Sequence, residues 1–209
     1  LAQAGKGFRF MGQRFTLDAA VMQQLVFNKV RENAQGERRM LPDVLDMPAA
    51  LGSETALSIL TQQGDTAYAR YPEQMQMLRS AVRSAPEELW SASLYAGWLY
   101  TLNPLLVEKG AGYPSFMTTE QWKKKALETY AGSFTELKHD TVLYGKQVMA
   151  EMGGGPPEEL DDRGYVEPET EVYRRFAELA EQTAAGLQVY GILDPADREN
   201  LTRLASLAR

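Results

Sequence analysis

Apolar residues recur at helical spacing along most of this 209-residue chain. In the segment 15–33, Leu17, Val21, Leu25 and Val30 lie near one face of a helix, with polar residues between them. No segment of the chain alternates convincingly between apolar and polar residues, as a strand would. The pattern therefore predicts an all-α fold, a bundle-like arrangement of about seven or eight helices without significant sheet.

Capping signals predict where the helices begin and end. Thr16 is expected to cap the first helix, Ser53 a short helix that Gly64 closes, and Asp194–Pro195 the last helix. At three further places Ser or Thr stands three residues before Glu or Gln, which is the pattern of a capping box. These boxes begin at Ser84, Thr118 and Ser133, and they predict helices over 85–103, 119–131 and 134–152.

The segment 153–167 breaks the helical pattern. It contains adjacent glycines and prolines together with several acidic residues, and it has no apolar period. We therefore predict a long Gly/Pro/acidic loop, followed by a helix with Pro168 in its first turn. The remainder of residues 1–209 is expected to form a single helical domain.

Charge and cysteine content exclude several classes of function. The net charge is −6, and acidic and basic residues are interspersed, so the chain has no electrostatic attraction to nucleic acid. It contains no cysteine, which excludes disulfides, cysteine-ligated metals and thiol catalysis. No phosphate-binding or dinucleotide-binding motif occurs, and no cofactor is expected.

An uncharged stretch covers residues 90–107. It is long enough to raise the question of a membrane span, but its serines, Asn103 and Pro104 favour a helix buried in a core. Trp90, Leu94 and Trp98 fall on one face of that helix, and we predict that all three are mostly buried. The alternative is an exposed platform for a sugar or a partner helix.

His139 is the only histidine in the chain. Glu136 lies one helical turn before it, but a metal site built on such a pair needs further histidines, so no metal site is predicted. A role for His139 as a general acid or base beside a carboxylate is one interpretation. An ordinary position on the polar surface of a helix is the other.

Four blocks of sequence are distinctive in their residues and in the order in which they follow one another. They are FRFMGQRFTLDA (8–19), LPDVLDMPAALGS (41–53), YPSFMTTEQWKKKALETYAGSFTELKHDTVLYGKQ (113–147) and GYVEPETEVYRRF (164–176). Together they resemble the bacterial and archaeal domain-of-unknown-function 3160 family over most of the chain. Members of that family are typically longer, and many resemble exported lipoproteins. The resemblance implies that this chain is the C-terminal part of such a protein, located outside the cytoplasm or at the cell surface.

The resemblance also implies which residues line a groove. His139, Asp140 and Glu167 are the candidate catalytic residues, and Glu167 is the carboxylate that we expect to approach His139. Further residues in or beside the matching blocks are candidates for binding, namely Arg9, Arg14, Tyr144, Lys146 and Tyr165. The family itself assigns no activity to these positions.

Two functions are compatible with these features. The first is a non-catalytic helical module of an exported or cell-surface protein, which binds a protein partner, a glycan or the rest of its own chain. The second is a fragment of a hydrolase-like enzyme that uses His139 with carboxylates as an acid–base or metal site. The plain composition and the single histidine favour the first.

Overall fold

The computed structural model describes residues 16–142 and 166–209, with the backbone alone for residues 140–142. Within these residues the secondary structure is helical, and β-pairing is limited to one antiparallel bridge between Glu32 and Arg38. The predicted all-α fold is therefore confirmed. The described helices are α1 (Leu17–Gln23), α2 (Asp46–Ala50), α3 (Glu54–Gln63), α4 (Tyr71–Arg83), α5 (Glu87–Ser91), α6 (Leu94–Leu102), α7 (Glu120–Val142), α8 (Thr170–Val189) and α9 (Pro195–Ala208). Short 3-10 turns cover Phe27–Lys29, Asn103–Leu106 and Ser115–Thr118.

The capping residues of three helices are those that the sequence predicts. The side chains of Thr16, Ser53 and Asp194 each accept a hydrogen bond from the backbone N–H three residues later, at 3.4, 3.2 and 2.8 Å. Gly64 ends α3 in the left-handed conformation, with φ of 85°. Each cap satisfies backbone groups that a helix end leaves without an intrahelical partner.

The predicted helix over 85–103 is wrong, because the chain forms two helices there, α5 and α6. Ser93 separates them in an extended conformation, and its hydroxyl accepts a hydrogen bond from the Ala96 N–H at 3.2 Å. Ser84 does not cap α5. It lies at the end of α4, and its hydroxyl donates to the carbonyl of Ser80.

This break changes the position of the predicted apolar stripe. Trp90 and Trp98 are partly buried and pack against the main core, whereas the side chain of Leu94 is 58% exposed. The prediction of a shared face depends on one continuous helix from Trp90 to Trp98. The interruption before Leu94 rotates that residue away from the two tryptophans. The prediction that all three residues are mostly buried is therefore wrong for Leu94.

The predicted break between residues 131 and 134 does not occur, because α7 continues from Glu120 to Val142. Ser133 lies inside the helix, where its hydroxyl accepts a hydrogen bond from Trp98 Nε1 at 3.1 Å. Thr119, one residue after the predicted cap, accepts from the Trp122 N–H and so caps α7. Helix α8 begins at Thr170 with Glu169 at its cap position, so the prediction that Pro168 lies in its first turn is wrong.

The main core is formed by helices α1 to α4, α6 and α7. Its largest fully buried side chains include two tyrosines, Tyr71 and Tyr130, and Phe134. Apolar residues from the first helix to the middle of α7 thus share one core, which burial of apolar surface stabilises.

Helix α8 packs on α6, and α9 packs along α8. The approach of α8 to α6 is close at Gly97, where an added Cβ atom would lie 2.6 Å from Leu179 Cδ1. The second interface has a small core of its own, built from Ala177, Ala180 and Ala205. Helices α8 and α9 therefore form a hairpin whose first helix rests on the main core.

Candidate functional site

A buried ionic cluster lies between α2 and α4. The guanidinium of Arg39 donates to both carboxylate oxygens of Asp46, at 2.6 and 3.2 Å, and Tyr71 donates its hydroxyl to the same carboxylate at 2.8 Å. Arg39 also donates to the carbonyl of Leu25 at 3.0 Å. Burial and the negative charge of Asp46 raise the pKa of Tyr71 far above its usual range, so this hydroxyl stays protonated.

A second buried cluster surrounds Asp18. Tyr95 donates its hydroxyl to one carboxylate oxygen at 2.9 Å, and Lys138 donates from Nζ to the other at 2.5 Å. Burial alone would raise the pKa of Asp18. The hydrogen bonds from Lys138, Thr16 and Tyr95, together with the charge of Lys138, outweigh that effect, so the pKa lies below its ordinary value of 3.8. The buried hydroxyl of Tyr130 lies in the field of the same carboxylate, and burial is the main reason that its pKa is raised.

Both clusters connect segments that are distant in sequence. Asp18 of α1 is bound by residues of α6 and α7, and Asp46 of α2 by a residue of α4 and by Arg39. The pKa of Asp18 is lowered and the pKa values of the three buried tyrosines are raised, away from neutrality in each case. Catalysis by proton transfer near neutral pH favours groups that titrate there, so these clusters are suited to holding the fold.

The structure places Glu167 away from the other two predicted catalytic residues. His139 lies on the exposed side of α7 near the end of that helix, and the backbone of Asp140 follows it. Glu167 forms an ion pair with Lys125, fourteen residues before His139 on the same helix. At the rise of an α-helix these positions are about 21 Å apart. The described structure thus does not bring Glu167 to His139.

The predicted binding residues lie outside the described residues, as do positions 153–165 of the predicted loop. These binding residues are Arg9, Arg14, Tyr144, Lys146 and Tyr165. Among residues 16–142 and 166–209, no group of three or more acidic or histidine side chains is arranged to hold a metal ion. None of the helices in this part of the chain is long and apolar enough to cross a membrane.

A buried pair that the sequence does not reveal links Lys109 to Glu169. Lys109 Nζ lies 2.7 Å from Glu169 Oε2, and both side chains are almost fully buried. The same ammonium donates to the Pro104 carbonyl at 2.8 Å. The pair joins the segment before α8 to the loop before α7. Glu169 lies in a charged stretch, and no local pattern distinguishes it from its exposed neighbours.

The turn between α8 and α9 presents an apolar surface, which we call the hairpin tip and define as Val189, Tyr190 and Ile192. These side chains are 82%, 80% and 66% exposed. Gly191 adopts the left-handed conformation at this turn, with φ of 69°. The N–H groups of Gly191 and Ile192 each donate to a carbonyl in the last turn of α8, at 3.1 Å. This is the hydrogen-bond pattern of a Schellman motif, so the backbone that carries the tip has a defined geometry.

Comparison with known proteins places this chain in a family. No curated protein and no solved structure matches it. The family described as "Protein of unknown function (DUF3160)" matches residues 2–209, which is almost the whole chain. This match agrees with the four blocks of sequence that resemble that family. The chain therefore belongs to the DUF3160 family.

Proposed function

We propose that this chain is a non-catalytic helical module of an exported or cell-surface protein, and that it binds a protein partner through the hairpin tip. The observation that carries the proposal is the exposure of Val189, Tyr190 and Ile192, which lie within four residues of one another. Single exposed apolar residues are ordinary on protein surfaces, whereas a group of them on one turn is a feature of interaction sites. The location outside the cytoplasm is proposed from the family resemblance.

The rigidity of the tip supports a role in binding. The Schellman hydrogen bonds fix the end of α8, and Asp194 with Pro195 fixes the start of α9 immediately afterwards. A surface that is already ordered loses little conformational entropy when a partner binds. Exposed tyrosine adds a large contact area with few rotatable bonds.

The chemistry of the tip indicates what kind of partner would fit. Residues 182–193 contain no charged side chain, although charged residues are frequent on both sides of this segment. An uncharged apolar protuberance is complementary to an apolar groove on a protein, which includes a groove on another part of the same longer chain. It offers no cation for an anionic lipid or a nucleic acid.

The buried ionisable groups support a non-catalytic role. Asp18 and Asp46 are each bound by a cation and a tyrosine hydroxyl, and these contacts hold helices together. The alternative is an enzyme that uses His139 with carboxylates. It would need a carboxylate other than Glu167, because Glu167 is paired with Lys125.

A site-specific cross-linking experiment tests the proposal. The chain would be produced in its native cells with benzoylphenylalanine in place of Tyr190, and in a matched control in place of Gln62, which is exposed on α3. We expect a discrete cross-linked protein from position 190 that is absent from position 62. The cross-link should disappear when Ile192→Asp is introduced, because a carboxylate is costly to bury in an apolar groove.

Two further measurements complete the test. Sedimentation of the purified chain shows whether the cross-linked protein is a second copy. Fractionation of the cells shows whether the protein is exported. Equal cross-linking at positions 190 and 62, or a cross-link that persists in Ile192→Asp, would contradict the proposal.

A further inference from the structure

An open cleft lies between helices α3 and α4, and we call it the α3–α4 cleft. Its volume is about 290 Å³. That value is near the lower limit of roughly 300 Å³ for pockets that hold small molecules, so the cleft has room for a few apolar side chains of a partner. It is lined by side chains of both helices and of the turn between them, among them Leu57, Thr61, Thr66, Pro72, Met75 and Gln76.

The charge in the cleft is already neutralised. Arg79 is the charged side chain among the described residues that line it, and each of its three guanidinium nitrogens donates a hydrogen bond within the chain. The acceptors are the carbonyls of Ala49 and Ser53, at 2.8 and 3.2 Å, and the carboxylate of Glu54, at 2.6 Å. A charged ligand would find no free counter-charge there, so the cleft favours an uncharged occupant.

The hydroxyl groups of the cleft are bonded as well. Thr61 donates to the carbonyl of Leu57 at 2.8 Å, and Thr66 donates to the Thr61 hydroxyl at 3.3 Å. Tyr71, which is almost fully buried, donates to the carboxylate of Asp46. These polar groups are therefore satisfied within the chain, and the apolar side chains of the cleft are left to contact an occupant.

Gln76 differs from these polar residues. It is exposed at the cleft, and its amide makes no hydrogen bond to the residues that the structure describes. A glutamine amide can both donate and accept. The cleft thus combines an apolar surface with one available amide.

The hairpin tip of this chain has the matching chemistry. Its three side chains are uncharged, and the segment 182–193 that carries them contains no charged residue. The tip has one polar side-chain group, the Tyr190 hydroxyl, which needs a hydrogen-bond partner when its ring is buried. Because Val189, Tyr190 and Ile192 are exposed in the single chain, the cleft of the same copy does not hold them.

We infer that the α3–α4 cleft receives the hairpin tip of a second copy of this chain, with the Tyr190 hydroxyl bonded to the Gln76 amide. The inference rests on the proposed function of the tip as a protein-binding surface, and it names the partner. Tip and cleft are different surfaces, so each contact leaves one tip and one cleft free, and the copies join head to tail in a ring or a chain. A contact of this small size is weak, so the association depends on concentration.

Disulfide trapping between purified copies tests the inference, since the chain has no cysteine of its own. One copy carries Val189→Cys at the tip, and the other carries Thr61→Cys in the cleft. In the control, the second copy carries Thr129→Cys on α7 instead. Thr61 and Thr129 are both exposed, and each hydroxyl donates to the carbonyl four residues earlier in its helix.

After mild oxidation of the mixed copies, we expect roughly tenfold more disulfide between positions 189 and 61 than between positions 189 and 129, because binding raises the local concentration of the paired thiols. Ile192→Asp in the first copy should remove this excess, since it places a carboxylate in the apolar contact.

Sedimentation equilibrium gives a second, independent measurement. We expect Gln76→Ala to weaken self-association by about three- to tenfold, because it removes the partner of the Tyr190 hydroxyl. Gln62→Ala is the matched control, an exposed glutamine of α3 that does not line the cleft, and it should leave the Kd unchanged. Circular dichroism and the Tm establish that each variant folds.

Several outcomes would overturn the inference. One is that the unmodified chain stays monomeric at concentrations up to about 1 mM, where even weak self-association is visible. Another is equal trapping at positions 61 and 129. If the chain is monomeric while position 190 cross-links a different protein in cells, this inference fails and the proposed function stands. If position 190 captures no protein at all, the proposed function fails and the inference fails with it.

Discussion

Arg39 and Asp46 form a bidentate ion pair whose two side chains are 2% and 0% exposed. The carboxylate receives two further hydrogen bonds, from the Tyr71 hydroxyl and from the Asp43 N–H, each at 2.8 Å. A buried ion pair repays the loss of hydration best when the remaining hydrogen-bonding positions of both partners are filled. The Asp46 oxygens meet this condition, whereas Arg39 Nε is buried without a hydrogen-bond partner in the described part of the chain. The pair therefore specifies how α2 packs against its neighbours.

The first prediction is that Asp46→Asn lowers the free energy of unfolding by about 3–5 kcal/mol. The substitution keeps the shape of the side chain but removes the buried counter-charge of Arg39. It leaves only the partly exposed carboxylate of Asp65, 3.8 Å from Arg39 Nε. Urea denaturation followed by circular dichroism measures the change. Glu32→Gln is the matched control, because it breaks the exposed pair of Glu32 with Arg38, and such pairs contribute at most about 1 kcal/mol. Similar losses in both variants would mean that burial does not decide the strength of the Arg39 pair.

The second prediction concerns stability in acid. The pKa of Asp18 in the folded chain lies below its ordinary value of 3.8, since the bonds and charge of Lys138 outweigh the effect of burial. A lowered folded pKa contributes stability that is fully present above the unfolded pKa and is lost as the pH falls through the folded pKa. We therefore expect the stability difference between the unmodified chain and Asp18→Asn to be greatest above about pH 5 and to shrink below about pH 4.

Denaturation by urea at a series of pH values measures this difference. Added salt should change it little, because Asp18 is buried. The exposed carboxylate of Glu73, whose pKa is lowered by its hydrogen bond to Arg70, provides the contrast, since salt should weaken its contribution. A difference for Asp18→Asn that is constant from pH 7 to pH 3 would contradict the assignment of Asp18 as a charged partner of Lys138.

The third prediction compares two glycines inside helices. Around Gly132 of α7 nothing lies within 4 Å of an added Cβ atom, so Gly132→Ala should raise the free energy of unfolding by about 0.5–1 kcal/mol. At Gly97 of α6 the added atom would meet Leu179 Cδ1 at 2.6 Å. The end of a leucine side chain can rotate, so we expect Gly97→Ala to cost only about 1 kcal/mol.

A double-mutant cycle checks that Leu179 is the cause. In the background of Leu179→Ala the obstacle is removed, and Gly97→Ala should then be neutral or stabilising. A loss of the same size in both backgrounds would mean that the close approach of α6 and α8 depends on other atoms.

Several local elements of this fold could be predicted from sequence, whereas its long-range contacts could not. Thr16, Ser53 and Asp194 cap helices as predicted, because a cap depends on residues within one turn. The break before Leu94 is not apparent from sequence, because Ser93 caps a helix without an acidic partner three residues later. Ser133 matches a capping box, yet in the folded chain its hydroxyl is bonded to Trp98, 35 residues away.

The buried charges illustrate the same limit. Asp18 and Lys138 are 120 residues apart, and only the folded chain shows that they are paired. For Asp46 the sequence gives a weak indication of burial, because this residue lies between Leu45 and Met47 in an apolar segment where an exposed carboxylate would be unusual. For Glu167, its position after the predicted loop is compatible with an approach to His139, whereas the structure pairs it with Lys125.

The last prediction compares two glutamates that are two residues apart. Glu167 and Lys125 are partly exposed, with side chains 23% and 37% accessible, so Glu167→Gln should cost no more than about 1 kcal/mol. Glu169 and Lys109 are 4% and 6% accessible, so Glu169→Gln leaves a buried ammonium without its counter-charge and should cost about 3 kcal/mol or more. Equal losses would mean that the two pairs are equally shielded from water.

The same Glu167→Gln variant tests the role of this residue near His139. The chain has one histidine, so its imidazole signals in an NMR spectrum are unambiguous. Glu167 is held at Lys125, about 21 Å along α7 from His139, and a charge at that distance in water is largely screened at physiological salt. At a fixed pH the imidazole signals should therefore keep their positions in Glu167→Gln and move in Lys138→Ala, which changes the residue directly before His139. Movement in Glu167→Gln would instead show that the carboxylate reaches His139 in solution, and it would restore the acid–base interpretation of that histidine.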